Sequence, residues 1–134
     1  MRPHHELRVW QDAMALVAKL YTLTSDFPKD ERFGLTAQMR RAAVSVPSNI
    51  AEGAARGTRK DFLRFLMFAR GSLSELDTQA RIAGSLGFCD PGKLVVEIER
   101  LQASLGSLIK VQKAGIPHSQ AAQPPTFQAA KRPT

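Results

Sequence analysis

The sequence predicts an all-α protein, an up-down antiparallel four-helix bundle with a tail behind it. Three observations carry this reading. Apolar residues recur at helical spacing in four long segments, and no segment alternates like a strand. The breaks between segments are short and hold the proline, glycine and capping residues that end or start helices. Short connections, in turn, make successive helices antiparallel neighbours. At 134 residues, with 43% hydrophobic and 23% charged residues, the chain is one domain's worth and can bury a core.

The first helix is predicted over 7–26. Val9, Leu16 and Leu23 lie seven apart, as do Ala13, Leu20 and Phe27, with Trp10, Met14, Val17 and Tyr21 between them. That apolar arc is wider than a surface helix needs, so the helix should touch two neighbours. Phe27-Pro28 ends it, because a residue before proline is pushed out of the α region.

The second helix is predicted over 34–56. Leu35, Met39, Ala43, Val46 and Ile50 form its core face, while Ala37, Val44 and Ala51 form a separate small-residue stripe. Gln38, Ser45, Asn49 and Glu52 read as a polar edge away from the core. Gly53 and Gly57 loosen the exit. Pro47 stands inside this helix, where it cannot donate to the Ala43 carbonyl and costs ~3 kcal/mol in a regular interior. A bend offsets part of that if Ser45, Ser48 and Asn49 satisfy the released backbone groups. Such a bend either curves the helix around the bundle or aims the small stripe at another subunit.

The third helix is predicted over 59–87. Thr58 is its N-cap, with Asp61 in the capping-box position. Phe62, Leu66, Ala69, Leu73, Leu76 and Ala80 form the core face, and Gly71 and Ser72 beside it permit close approach. "GSLGFCDPG" is a turn, with Asp90 as N-cap and Pro91 as the first residue of a fourth helix over 91–114. There Leu94, Ile98, Leu101, Leu105, Leu108 and Gln112 make a coiled-coil-like seam. The predicted core includes Trp10, Val17, Met39, Val46, Ile50, Leu66, Leu73, Leu101 and Leu105. Residues 115–134, rich in proline and without periodicity, read as a disordered basic tail.

Composition bounds the function. Nineteen Lys and Arg against twelve Asp and Glu give a net charge of +7, which favours polyanions, nucleic acid first. Charges interrupt every apolar run, so no membrane span or membrane partner is expected. The start, "MRPHHELRVWQDA", has no apolar signal region, and the single Cys89 cannot form an internal disulfide, so a cytoplasmic protein is expected. Arg40 and Arg41 project from the non-core side of the second helix. Arg56, Arg59, Lys60 and Arg64 gather at the turn into the third, opposed by Asp61. Helical pairing accounts for Arg56 with Glu52 and Arg81 with Asp77. The turn cations remain, and with Arg41 they are the candidate phosphate contacts. No aromatic residues interleave with them, which argues against base stacking.

Catalytic signals are absent. His4 and His5 sit at the chain start and read as solvated, and His118 falls in the tail. Cys89 has no histidine beside it, and no phosphate-loop, dinucleotide or metal-ligand spacing occurs. The expectation is a protein that is not an enzyme and carries no catalytic residue, metal or cofactor.

The blocks "VWQDAMALV", "FGLTAQMRRAAVSVPSNIAEG", "FLRFLMFARGSLSELDTQ" and "LGF" resemble the 23S rRNA intervening-sequence (S23) proteins, a bacterial family of small four-helix bundles. The likeness covers roughly residues 7–113. It implies a left-handed up-down bundle assembled as a homopentamer, for which Ala37, Val44 and Ala51 are the candidate subunit interface. The fold is also similar to the accessory variability determinant of diversity-generating retroelements, which implies RNA or a reverse transcriptase as possible partners. Two functions stay open on these grounds. One is an oligomeric, basic RNA-associated protein; the other is a scaffold or accessory subunit for a protein partner.

Overall fold

The structure is a computed structural model that describes residues 3–116, excluding the side chain of Pro3. Four α-helices follow a short 3-10 turn at Pro3–Glu6: α1 Arg8–Thr24, α2 Leu35–Ala55, α3 Arg59–Ser85 and α4 Gly92–Ala114. A second 3-10 turn, Lys29–Glu31, bridges α1 and α2, and no strand occurs among the described residues. The order of packing is α1 on α2, α2 on α3 and α3 on α4, and α4 returns to α1 in the slightest of the four neighbouring contacts. The helix bounds lie within two residues of those the periodicity predicts. α1 stops at Thr24 because the Thr24 and Ser25 hydroxyls bond the Leu20 and Thr22 carbonyls, at 2.9 and 2.6 Å, and draw the last turn closed. Of the tail, residues 117–134 lie outside the described residues. Ile116 belongs to the bundle, being only 8% exposed.

One core fills the bundle. Leu20, Met39, Val46, Ile50, Leu66, Leu73, Leu76, Ile98 and Leu105 are buried on all sides. Trp10 and Val17, predicted to be buried, are only partly so and pack on the rim of the core. They lie on the flank of α1 nearest α2, and beyond them Met14 and Tyr21 are 46% and 41% exposed. In α4 the seam leaves the heptad: Ile109 is buried where Leu108 is only half so. A straight α-helix drifts against a strict seven-residue repeat by about 20° per heptad, and the shift by one residue absorbs that drift.

Of the polar edge expected on the outside of α2, Gln38 is exposed and Glu52 half-buried, but Ser45 and Asn49 are inside. Ser45 and Asn49 are buried against α3, where the Ser45 and Ser72 hydroxyls are 2.7 Å apart. Asn49 Nδ2 donates to the Ser45 carbonyl at 2.8 Å and to Ser45 Oγ at 2.9 Å. Ser72 makes the difference: a hydroxyl on the facing helix gives α2's polar side a partner, so burial no longer leaves it unsatisfied. Pro47 is buried within an α2 that runs unbroken to Ala55. The Asn49 side chain braces the turn on Ser45, not on the Ala43 carbonyl that Pro47 leaves without its donor.

Gly53, rather than Gly71, permits the close approach of α2 and α3. A Cβ at Gly53 would sit 2.7 Å from Phe65 Cβ, whereas Gly71 faces open space. Gly57, at φ +84°, takes the left-handed conformation that turns the chain from α2 into α3. Thr58 Oγ1 then caps α3 by accepting from Asp61 N at 3.1 Å. At the next turn the expected cap is displaced by one residue. Asp90 Oδ1 accepts from Gly92 N at 3.0 Å, while Pro91 holds the cap position and packs on Gly84.

The buried hydroxyl pair yields a stability prediction. Ser72→Ala removes one of the two buried partners of the Ser45 hydroxyl, leaving Asn49, and should cost about 0.5–1.5 kcal/mol in urea unfolding. The Ser45→Ala/Ser72→Ala double variant should cost clearly less than the sum of the two single variants, because they share one bond. Strict additivity would exclude the bond.

Candidate nucleic-acid interface

The cations singled out in the sequence divide into distinct environments. Phe65, nearly two turns inside α3 and 1% exposed, lies outside the main core cluster. Two guanidiniums cover it: Arg56 at 5.0 Å and Arg64 at 5.1 Å from the ring centroid. Each is tied to a carboxylate, Arg56 Nη2 to Glu52 Oε2 at 2.9 Å and Arg64 Nη2 to Asp61 Oδ1 at 3.4 Å. The expectation that no aromatic ring meets these cations therefore fails for Phe65. That ring is roofed by the arginines and presents no face to a base.

Arg59 opens α3 and lies against the far end of α4, where any Cβ at Gly115 would run into its guanidinium. A cation beside the last carbonyls of a helix is favourably placed against the helix dipole. The contact also brings the α4 C-terminus to the α2–α3 turn. Lys110 and Lys113 are exposed on that last stretch of α4 and share this end of the bundle with Lys60. None of the three makes an ion pair among the described residues. The sequence reading did not single out either α4 lysine. Their signal is visible only once helix direction is known, since an even number of antiparallel helices returns α4 to the end where α2 finishes.

Arg41 is exposed but apart. Fifteen residues before Arg56 on the same helix, it lies about 22 Å away at 1.5 Å per residue. Its neighbour Arg40 is half-buried and engaged within the fold. Arg40 Nε donates to Thr24 Oγ1 at 2.9 Å and Nη2 to the Tyr21 carbonyl at 3.3 Å, with the guanidinium 4.4 Å from the Tyr21 ring centroid. It staples α2 to the C-terminal turn of α1, where a positive charge is favourably placed against the helix dipole.

The candidate interface residues Ala37, Val44 and Ala51 are half-buried and outside the core cluster. The Arg40–Tyr21 contact sets this side of α2 beside the Trp10, Met14, Val17 and Tyr21 flank of α1. The small stripe and the surplus apolar arc of α1 thus border one outward surface. Phe33, in the connection between the two helices, is 88% exposed.

Little else offers chemistry. A groove of about 250 Å³ runs between α1 and α4. Arg8–Asp12 and Lys19–Glu97 ion pairs cross its rim, above buried Leu16 and Leu101. Burial, and secondarily the Asp90 carboxylate, raise the Cys89 thiol above its ordinary range, which keeps it protonated and a poor nucleophile. No group of three metal-ligating side chains occurs among the described residues. No helix among them is long and apolar enough to cross a membrane.

The two adjacent arginines should respond oppositely to mutation. Arg40→Met removes charged hydrogen bonds at a helix end and should lower unfolding stability by about 1–3 kcal/mol. Arg41→Met should leave it within about 0.5 kcal/mol. Equal effects in urea denaturation would contradict the staple.

No curated protein sequence matches the chain at a significant level. The profile of one protein family does, over residues 5–110, a span that takes in all four helices almost to the end of α4. The match and the four-helix architecture agree: the chain belongs to the 23S rRNA-intervening sequence protein family.

Proposed function

We propose that this protein is a non-enzymatic, self-associating RNA-binding bundle that meets phosphates with one end. The observation that carries the reading is the gathering of Arg59, Lys60, Lys110 and Lys113 at the α2–α3 turn end, with no carboxylate partner among the described residues. Arg56 and Arg64 extend the patch. Their carboxylate pairs are solvent-exposed, and such pairs are worth only about 0–1 kcal/mol, so a phosphate can replace either carboxylate at little cost. Arg41 is a separate, weaker contact. Membership of a family named for an rRNA insertion supports RNA over other polyanions.

Lys60→Gln with Lys113→Gln tests the patch. Both side chains are exposed, so the helices should stay intact. Binding of structured RNA should weaken, and the slope of log affinity against log salt should shrink by about 1.5–2. An unchanged slope would remove these lysines from the interface. Absence of RNA binding by the parent protein at low salt would favour a scaffold with a protein partner, such as a retroelement reverse transcriptase.

Self-association, in the reading of a homopentamer, rests on the outward apolar surface shared by α1 and α2. Repetition in a ring multiplies each weak phosphate patch into a multivalent one. Val44→Glu places a charge in that surface and should shrink the particle in light scattering while leaving helix content unchanged. A parent protein that is monomeric at micromolar concentration would rule this assembly out.

A further inference from the structure

The 3-10 turn that precedes α1 is more ordered in its contacts than a solvated chain start. The His5 ring lies over Trp10 with centroids 4.8 Å apart and planes inclined by 30°. His4 meets both rings edge-on, at 4.3 Å from His5 and 5.1 Å from Trp10. Gln11 Nε2 donates to the His5 carbonyl at 2.9 Å, and Leu7 N to the His4 carbonyl at 3.1 Å, which pins the turn to the helix. All three side chains are half-exposed. The two histidines, read as solvated from the sequence, are part of a fixed aromatic cluster.

The position of that cluster gives it meaning. The Arg40–Tyr21 staple shows that the end of α1 lies beside the early part of α2. The start of α1 therefore lies beside the last turns of α2, and the 3-10 turn packs on α2. The rings thus border the end of the bundle that carries Arg56, Arg59, Lys60, Lys110 and Lys113. Partly exposed π-surface at the cationic end of the bundle is the combination that binds single-stranded nucleic acid. The cations track the backbone and the rings take a base face, whatever the base.

We propose that His4, His5 and Trp10 form a stacking surface for an unpaired base of RNA whose flanking phosphates lie on the turn cations. This rests on the phosphate-binding reading and narrows it, since the preferred ligand becomes RNA with single-stranded segments rather than continuous duplex. A protein partner would have no use for the neighbouring unpaired lysines unless it were acidic. RNA satisfies both features at once.

Trp10 is the chain's single tryptophan, so its fluorescence reports on this site alone. The full-length protein should be titrated with a mixed-sequence single-stranded RNA and with the same strand annealed to its complement. Anisotropy of labelled RNA follows binding, and Trp10 emission follows stacking. The expected result is quenching that saturates with binding of the single strand and is much weaker with duplex. His4→Ala/His5→Ala should lower single-strand affinity roughly ten-fold and collapse the preference over duplex. The His4→Phe/His5→Phe variant, which keeps the rings, should restore most of that loss. Single-strand binding that leaves Trp10 emission unchanged, or equal affinity for the two forms, would overturn the stacking surface while leaving the phosphate contacts standing. Failure to bind either RNA would overturn both.

Discussion

The arrangement of this bundle depends on a small polar contact in the α2–α3 seam. Ser45, Asn49 and Ser72 satisfy one another where a purely apolar seam would tolerate sliding. Two apolar helices can slip by a turn and lose little; two hydroxyls that must meet cannot, because an unmatched buried hydroxyl costs about 1–3 kcal/mol. Gly53 acts in the same register, since only a residue without a side chain lets α2 come this close to Phe65. Once these are matched, the exit of α2 is fixed, and with it the direction of the Gly57 turn and the site where α3 presents its cations.

That dependence explains how the arginines are apportioned. Those nearest the packed seams serve the fold. Arg40 closes the end of α1, while Arg56 and Arg64 roof a phenylalanine that the main core leaves outside. Those on the last turns and at the start of α3 hold, among the described residues, nothing beyond the dipole of α4. A surplus of positive charge in the composition thus becomes a localised surplus at one end. A polyanion would sense that local density far more than the net charge, which is screened over about 10 Å at ordinary salt. Elsewhere some cations are engaged in exposed pairs, Arg81 with Asp77 and Lys19 with Glu97 among them, while Arg41 stands exposed and apart.

The aromatic cluster at the chain start and the phenylalanine under the arginines differ in a way that matters for ligands. Phe65 gives its faces to guanidiniums of its own chain and so is spent on stability. His4, His5 and Trp10 give part of their faces to one another and keep part in solvent. The two groups lie at the same end of the bundle, one covered by its own arginines and the other partly in solvent.

Sequence alone determined the helices, their order and most of the core, because each is written in the 3.6-residue period and in local caps such as Thr58 with Asp61. It also determined the i,i+4 pairs, Glu52 with Arg56 among them, since one helix suffices to bring these together. Tertiary structure decided whatever depends on a second helix. Ser45 and Asn49 read as solvent-facing until Ser72 stands opposite them. Arg40 and Arg41 are indistinguishable until the end of α1 lies beside only one of them. Lys110 and Lys113 join the turn cations only because α4 runs back to where α2 ends, and the histidines join them only because the chain start folds onto Trp10. Period and capping are properties of a single helix, whereas exposure and partnership of a side chain are properties of its neighbours, which no local pattern encodes.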